Sequence, residues 1–260
     1  MKNLTRRTML CGTGALAALS LAGCVQSDIT GPQVAAATPA NAPPAAAPVL
    51  PPEPTGKVSD AQYAEMYAAT TDGQFPVPAV KLSVIKPAFR RETVAYQSNE
   101  PEGTIVVDPA HHYLYHILGG GQAVRYGVGV GREGFAWSGE AVIKSKQEWP
   151  DWYPPKEMLD RQPELKRQMA QLQSGIGMHG GPHNPLGARA MYLWQDNKDT
   201  LFRIHGTTEP SSIGTSASSG CIRMINQDVM DLYARTAVGT RVVVLGHAQP
   251  RTASIAKPKA

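Results

Sequence analysis

Cysteine is scarce in this chain: three in 260 residues. Cys11 and Cys24 fall near the N-terminus, so Cys221 stands alone in the remainder. That excludes a disulfide framework within the domain. Charge of one sign is equally scarce, with 25 Lys and Arg against 21 Asp and Glu, a net of +4. Residues 1–57 carry four positive and two negative groups, which leaves 21 against 19, a net of +2, for the rest. Such a balance supports neither nucleic-acid binding nor electrostatic attachment to a membrane. Long apolar runs are missing too. Leu10–Ala22 is apolar but falls short of the ~20 residues a spanning helix needs, and no second candidate follows. There is no internal repeat, hence no solenoid or repeat module.

What the N-terminus does contain is an address. Lys2, Arg6 and Arg7 form a positive region before the apolar stretch, so residues 1–23 read as a signal peptide. Thr5-Arg6-Arg7-Thr8-Met9-Leu10 resembles a twin-arginine signal, and a general secretory signal fits the same residues. Leu21-Ala22-Gly23-Cys24 resembles the bacterial lipobox, in which the cysteine is acylated and becomes the mature N-terminus. Cys24 is therefore the expected lipidation site, with the membrane reached through acyl chains at ~0.8 kcal/mol per buried methylene. The expected location is the periplasm or cell envelope. Val25 in place of an aspartate leans toward the outer membrane of a two-membrane cell. Residues 24–57 are rich in Pro and Ala, have no apolar periodicity, and read as a tether.

The folded part is expected from residue 58 to 247, long enough for a real core, with a basic tail over 248–260. Short β-branched or aromatic runs predict strands at 103–108, 112–118, 123–130, 141–146, 190–194, 201–204 and 240–245. Gly119-Gly120-Gly121 predicts a hairpin. The fold class is mainly β, a mixed sandwich or barrel-like core with a few peripheral helices. One helix is expected to run to about Ala69 with Ser59 or Asp60 as N-cap. A second is expected over Pro155–Gln173, interrupted by Pro163. A third opens with Asn226 as N-cap and Asp228 in its first turn, presents Val229, Leu232 and Tyr233 on one face, and stops at Gly239. This places His205 at a strand end and Cys221 in a loop before a helix.

A lone exported cysteine must be paired with another chain, hidden or used. His205 lies sixteen residues upstream, the kind of partner a catalytic thiol needs as proton acceptor. It is expected to lower the thiol pKa of a partly exposed Cys221. Gly220 permits a tight turn and leaves the amides of Ser219, Gly220 and Cys221 open as an oxyanion hole. No carboxylate adjoins His205, so a carbonyl near Gly206 is the candidate orienting group. An inert buried cysteine near an unrelated histidine is the competing reading. His179 and His183 have a metal-ligand spacing, but Gly180, Gly181 and Pro182 argue against the helix it requires; no metal is expected. Gly127-Val128-Gly129-Val130-Gly131 sits in strand pattern with no helix after it, so it is not a phosphate loop.

Ile204-His205-Gly206-Thr207, Ile213-Gly214 and Ser218-Ser219-Gly220-Cys221-Ile222-Arg223-Met224 together resemble the signature of bacterial L,D-transpeptidases. Gly180 to Gly187 and Pro150 to Pro155 resemble two further segments of that family. The resemblance covers about residues 103–246 and assigns 103–247 to the catalytic domain, with 58–102 an extension packing on it. It implies a mixed β-sandwich acting on peptidoglycan stem tetrapeptides. Cys221 would attack the carbonyl of the third stem residue and release D-alanine, and an amine of a second stem would resolve the thioester into a 3→3 cross-link. It implies His205 as acid/base, Gly206 as source of the orienting carbonyl, and susceptibility to carbapenems. Arg223 would hold a substrate carboxylate or brace the loop. No cofactor and no nucleic-acid partner are implied, and a monomer is expected. Hydrolysis of D-alanine and attachment of a protein to the wall would share the same acyl-enzyme. A non-catalytic lipoprotein that grips the wall is the reading from another class. Ser219 stands where many members have a second histidine, and Trp137-Ser138-Gly139-Glu140 where they often have Thr-Pro-Xaa-Gly. Residues 156–178 form an insertion, a lid or a packing helix.

Overall fold

Alternating β-branched and aromatic residues fold as strands wherever one face can be buried, and they dictate most of this structure. The computed structural model describes residues 56–131, 137–218 and 220–246. The signal segment with Cys11 and Cys24, nearly all of the tether, Ser219 and the basic tail lie outside them. In chain order, α1 (Asp60–Met66) precedes a small hairpin of β1 (Thr70–Asp72) and β2 (Phe75–Val77), then β3 (Glu92–Ala95). A meander follows of β4 (Ile105–Asp108), β5 (Tyr113–Gly119) and β6 (Gln122–Gly127), then short β7 (Val130–Gly131) and long β8 (Gly139–Glu148). The insertion carries α2 (Lys156–Arg161) and a hairpin of β9 (Ala170–Leu172) and β10 (Gly175–Gly177). Then come β11 (Arg189–Gln195), β12 (Lys198–His205), β13 (Ser216–Ser218), β14 (Ile222–Arg223), α3 (Asn226–Arg235) and β15 (Arg241–Val244).

Among the described residues one nine-stranded mixed sheet runs β14-β12-β11-β8-β15-β4-β5-β6-β3. The chain leaving β6 passes Gly129, which exchanges backbone hydrogen bonds with Arg223 of β14 at 2.7 and 2.9 Å, and β7 pairs with β13. A sheet whose first strand touches the chain beyond its eighth must curl over itself, so the architecture is mainly β and sandwich-like. The buried inner side carries Ile105, Leu114, Val124, Ile143, Leu193 and Ile204, and α3 adds Val229 and Leu232 to the same cluster.

The helices depart from expectation in two places. Ser59 caps α1 in a capping box with Gln62, but α3 is not capped by Asn226. Ile225 holds that position, and Asn226 is the first helical residue. Its Oδ1 instead accepts the backbone N–H of Ala188 at 3.0 Å. The helix expected over 155–173 is only six residues of α2. Pro163 has no N–H to continue the ladder, and a 3₁₀ turn over Pro163–Gln168 follows before the β9–β10 hairpin. Trp152 and Met178 exchange backbone hydrogen bonds of 2.8 and 2.9 Å and close the base of this excursion.

Tyr67, Ala68, Pro78 and Arg91, from the segment ahead of β4, contact α3. The Tyr67 hydroxyl donates to Asp228 Oδ2 at 3.2 Å, and the Gln227 amide donates to the carbonyls of Ala68 and Pro78 at 3.1 and 2.9 Å. Asp228 is fully buried and is paired further with Arg91. Buried charge of this kind persists only when partnered, so this contact ties the extension to the helix that follows the cysteine loop.

Candidate active site

His205 ends β12, in register with Ala190 of β11 and Arg223 of β14. It is buried. Its Nδ1 lies 2.6 Å from the Gly206 carbonyl oxygen. A carbonyl can only accept, so Nδ1 carries the proton and Nε2 keeps its lone pair. Burial lowers the imidazole pKa to about 4; the Gly206 bond opposes this, and the charges of Arg223 and Arg203 add to it. At neutral pH the ring is a neutral base.

The Gly206 carbonyl is itself held. Gly206 N–H donates to the Arg189 carbonyl at 3.0 Å. A Cβ on Gly206 would fall on Asn226 Oδ1, so this close approach requires glycine. Behind it, Asn184 is buried, and its amide donates to the carbonyls of Pro150, Met178 and His179 at 3.0–3.1 Å. Its Oδ1 accepts from Leu186 at 2.9 Å, an Asx turn. Asn184 thus joins both ends of the insertion to the turn that supports Gly206.

Cys221 is half-buried beside the part of β12 that β14 leaves uncovered. Its Sγ is 3.9 Å from the Leu201 carbonyl, and the Arg203 backbone N–H is directed at the sulfur. This edge is irregular by construction. Leu201 has φ +62°, a costly conformation for a bulky residue. Three polar contacts enforce it: Leu201 N–H to Asp199 Oδ1 at 2.9 Å, Phe202 N–H to Thr200 Oγ1 at 3.2 Å, and Thr200 Oγ1 to the Leu193 carbonyl at 2.6 Å. Arg203 clamps Asp199 with two bonds of 2.7 and 2.8 Å. Phe202 stacks on Trp137 with centroids 5.3 Å apart. Gly220 has φ +129°, and a Cβ there would stand 3.2 Å from Phe202.

One electrostatic expectation is corrected. Burial raises the Cys221 thiol pKa above its ordinary value, against the opposing Arg203 amide and the charges of Arg203 and Arg223. His205 cannot lower it, because the same burial keeps that ring uncharged. The resting pair is therefore neutral thiol and neutral imidazole. Arg223 pairs with Glu209 at 3.2 Å near the surface. His179 is exposed, 3.6 Å from Asp151, and no group of three or more His, Cys, Asp or Glu suited to a metal occurs among the described residues.

β12 thus carries at its end a histidine locked by its neighbour's carbonyl and meets, at Leu201 and Arg203, a thiol that follows a glycine turn. The model of the YkuD L,D-transpeptidase catalytic domain matches residues 102–244, and the chain belongs to that family. Two curated relatives from Escherichia coli K12 are similar. "Probable L,D-transpeptidase ErfK/SrfK" is 32% identical over 146 residues, 54% of this chain and 43% of that protein. "Probable L,D-transpeptidase YbiS" is 28% identical over 145 residues, 54% of this chain and 44% of that protein. The match thus spans less than half the length of these relatives. A solved Brucella melitensis structure named a probable carnitine operon oxidoreductase, caia, is 52% identical over 62% of this chain and 96% of that one. Its TM-score of 0.42 is too low to support an argument about fold.

Proposed function

We propose that the chain is a cysteine L,D-transpeptidase acting on peptidoglycan stem tetrapeptides. The observation that carries it is the neutral His205, its Nδ1 proton held by Gly206 and its Nε2 lone pair left for a substrate-linked proton. As Cys221 Sγ bonds to the carbonyl carbon of the third stem residue, the S–H proton passes to His205 Nε2. The carbonyl electrons move to oxygen, where amides of Ser219, Gly220 and Cys221 receive them. Collapse breaks the C–N bond, and D-alanine leaves as an amine with the proton from His205. A side-chain amine of a second stem then attacks the thioester, His205 takes its proton, and the thiol is restored as a 3→3 cross-link forms. Water as acceptor gives L,D-carboxypeptidase activity, and a protein amine gives attachment to the wall.

General acid–base assistance is typically worth ~10²–10⁴, which sets the loss expected for His205→Ala. Arg223 is offered as the contact for a substrate carboxylate, since an exposed ion pair with Glu209 is weak enough to exchange. Residues 156–178, hinged at the Trp152–Met178 pair, are offered as a lid over the acyl-enzyme. Cys24 is offered as the lipid anchor and the Pro/Ala-rich tether as the spacer that lets a monomeric domain reach the wall from a membrane, the outer one favoured. No helix of the described residues is long and apolar enough to cross a bilayer. Incubation with a carbapenem tests the nucleophile. Intact mass should show a stoichiometric adduct on the wild type and none on Cys221→Ala; an adduct retained by that variant rules the assignment out.

A further inference from the structure

The sheet face beside the thiol continues into a groove that the reaction above does not use. On β11, Met191 and Leu193 are buried in the core, while Tyr192 and Trp194 are half-exposed on the opposite face. Ala190 pairs with His205, Tyr192 with Arg203 and, beyond the register shift at Leu201, Trp194 with Asp199, so this face leads away from His205 along β11. Arg203 lies over the Tyr192 ring at 4.5 Å, halfway along. At the far end Trp194 faces Val142, itself opposite Arg241 on β15. Trp194, Val142, Glu140, Arg241, Gln195 and Asp196 line a groove of about 480 Å³, within the ~300–1,000 Å³ usual for small-molecule sites.

The chemistry of this groove is specific. One large aromatic ring offers a flat apolar wall. Around it stand an amide, carboxylates and a guanidinium, groups that give and accept hydrogen bonds in planar pairs. Arg241 is already met by both oxygens of Glu140 and by Glu100 at 3.0 Å, so it has little call for an anionic ligand. A flat, uncharged, hydroxyl- and amide-bearing ring fits this better than a phosphate or a peptide carboxylate.

Distance adds a second argument. Cys221 Sγ meets β12 at Leu201 and Arg203, and Arg203 is in register with Tyr192, so about 7 Å along β11 at ~3.4 Å per residue and about 10 Å across two strand spacings of ~4.8 Å, roughly 12 Å on the diagonal, lie between the thiol and Trp194. A stem from its first residue to the third-residue carbonyl spans about 10 Å when extended. A donor stem with its reacting carbonyl at Cys221 and its chain laid along Tyr192 therefore delivers its sugar end to the Trp194 groove. The geometry points to a glycan subsite there, seating the N-acetylated amino sugar that bears the donor stem, with Trp194 as its platform. This rests on the proposed transpeptidase reading. It makes the enzyme selective for stems still attached to a glycan strand over free peptides.

The test compares two donors and one stem-free probe on the mature full-length chain. Trp194→Ala should lower kcat/KM for a disaccharide-tetrapeptide about tenfold, the scale of an aromatic anchor in a pocket, and change that for free tetrapeptide less than about twofold. Trp194→Phe, which keeps a ring, should recover part of the difference. Separately, chitotetraose should perturb the tryptophan spectra of Cys221→Ala, and adding Trp194→Phe should remove the largest change. Equal losses on both donors, as for a groove that holds the peptide, or no loss on either, overturn the subsite. If wild type turns over neither donor while chitotetraose binding still depends on Trp194, the reaction assignment fails and the glycan site stands.

Discussion

Alkylation of Cys221 across pH distinguishes a neutral resting pair from a pre-formed thiolate–imidazolium pair. The perturbing reagent is iodoacetamide, which reacts with the thiolate alone. A thiol of pKa ~8.5 is only ~3% ionised at pH 7. Burial places Cys221 above the ordinary value, and His205, held to about 4, supplies no positive charge at that pH. The thiolate fraction at pH 7 is then a few per cent at most. A pre-formed ion pair would instead be almost fully ionised, and so react more than about thirtyfold faster. The assay is the rate of adduct formation by mass spectrometry, mapped to the peptide carrying Cys221, from pH 5 to 10. The rate should climb about tenfold per pH unit through neutrality, and His205→Ala should leave that slope unchanged. A plateau between pH 5 and 8 that disappears in His205→Ala would refute the reasoning.

Further outcomes follow from the same structure. His116 is buried, its ring nitrogens have no hydrogen-bond partner among the described residues, and burial with the Arg235 charge lowers its pKa to about 4. A histidine so lowered stabilises fully above ~6.5 and loses that contribution as pH falls toward 4, on the order of 3 kcal/mol. His116→Leu should therefore shrink the drop in urea midpoint between pH 7 and pH 4; an unchanged drop contradicts it. Asn226→Ala leaves the Ala188 N–H without its acceptor and opens space around Gly206, so it should cost ~1–3 kcal/mol in thermal or urea unfolding and lower kcat. Asn226→Asp, which still accepts, should recover most of the stability, and equal loss in both would argue against the bond. Cys24→Ser should abolish acylation, and an unmodified wild-type N-terminus at another residue would remove the anchor.

Much of the core was legible because strands announce themselves through local pattern. Ile105–Asp108, Tyr113–Gly119 and Arg241–Val244 are runs of apolar and β-branched residues that suit burial. The hairpin at Gly120 and Gly121 is a two-residue turn with both φ positive. His205 and Cys221 stand out by motif as candidates, since glycines and a histidine at fixed offsets constrain backbone and chemistry together. What stayed hidden depends on contacts between distant residues. Asn226 looks like a cap from its neighbours, yet Ala188 claims its side chain. Asn184 could have been found from its place between Pro182 and Pro185, where an Asx turn is common, but not its three carbonyl partners. The bulge at Leu201 has no sequence mark of its own; Asp199, Thr200 and Arg203 impose it, and it sets what the thiol meets. The raised thiol pKa follows from burial, which pattern alone does not quantify.

The central claim is an acyl-enzyme on Cys221, and its most direct measurement is mass analysis of the full-length protein during turnover of a stem tetrapeptide. The account predicts an adduct equal to the stem minus D-alanine, mapped to Cys221, resolved when an amine acceptor is added, and absent in Cys221→Ala along with all D-alanine release. Release of D-alanine by Cys221→Ala, with no adduct on the wild type, would contradict it.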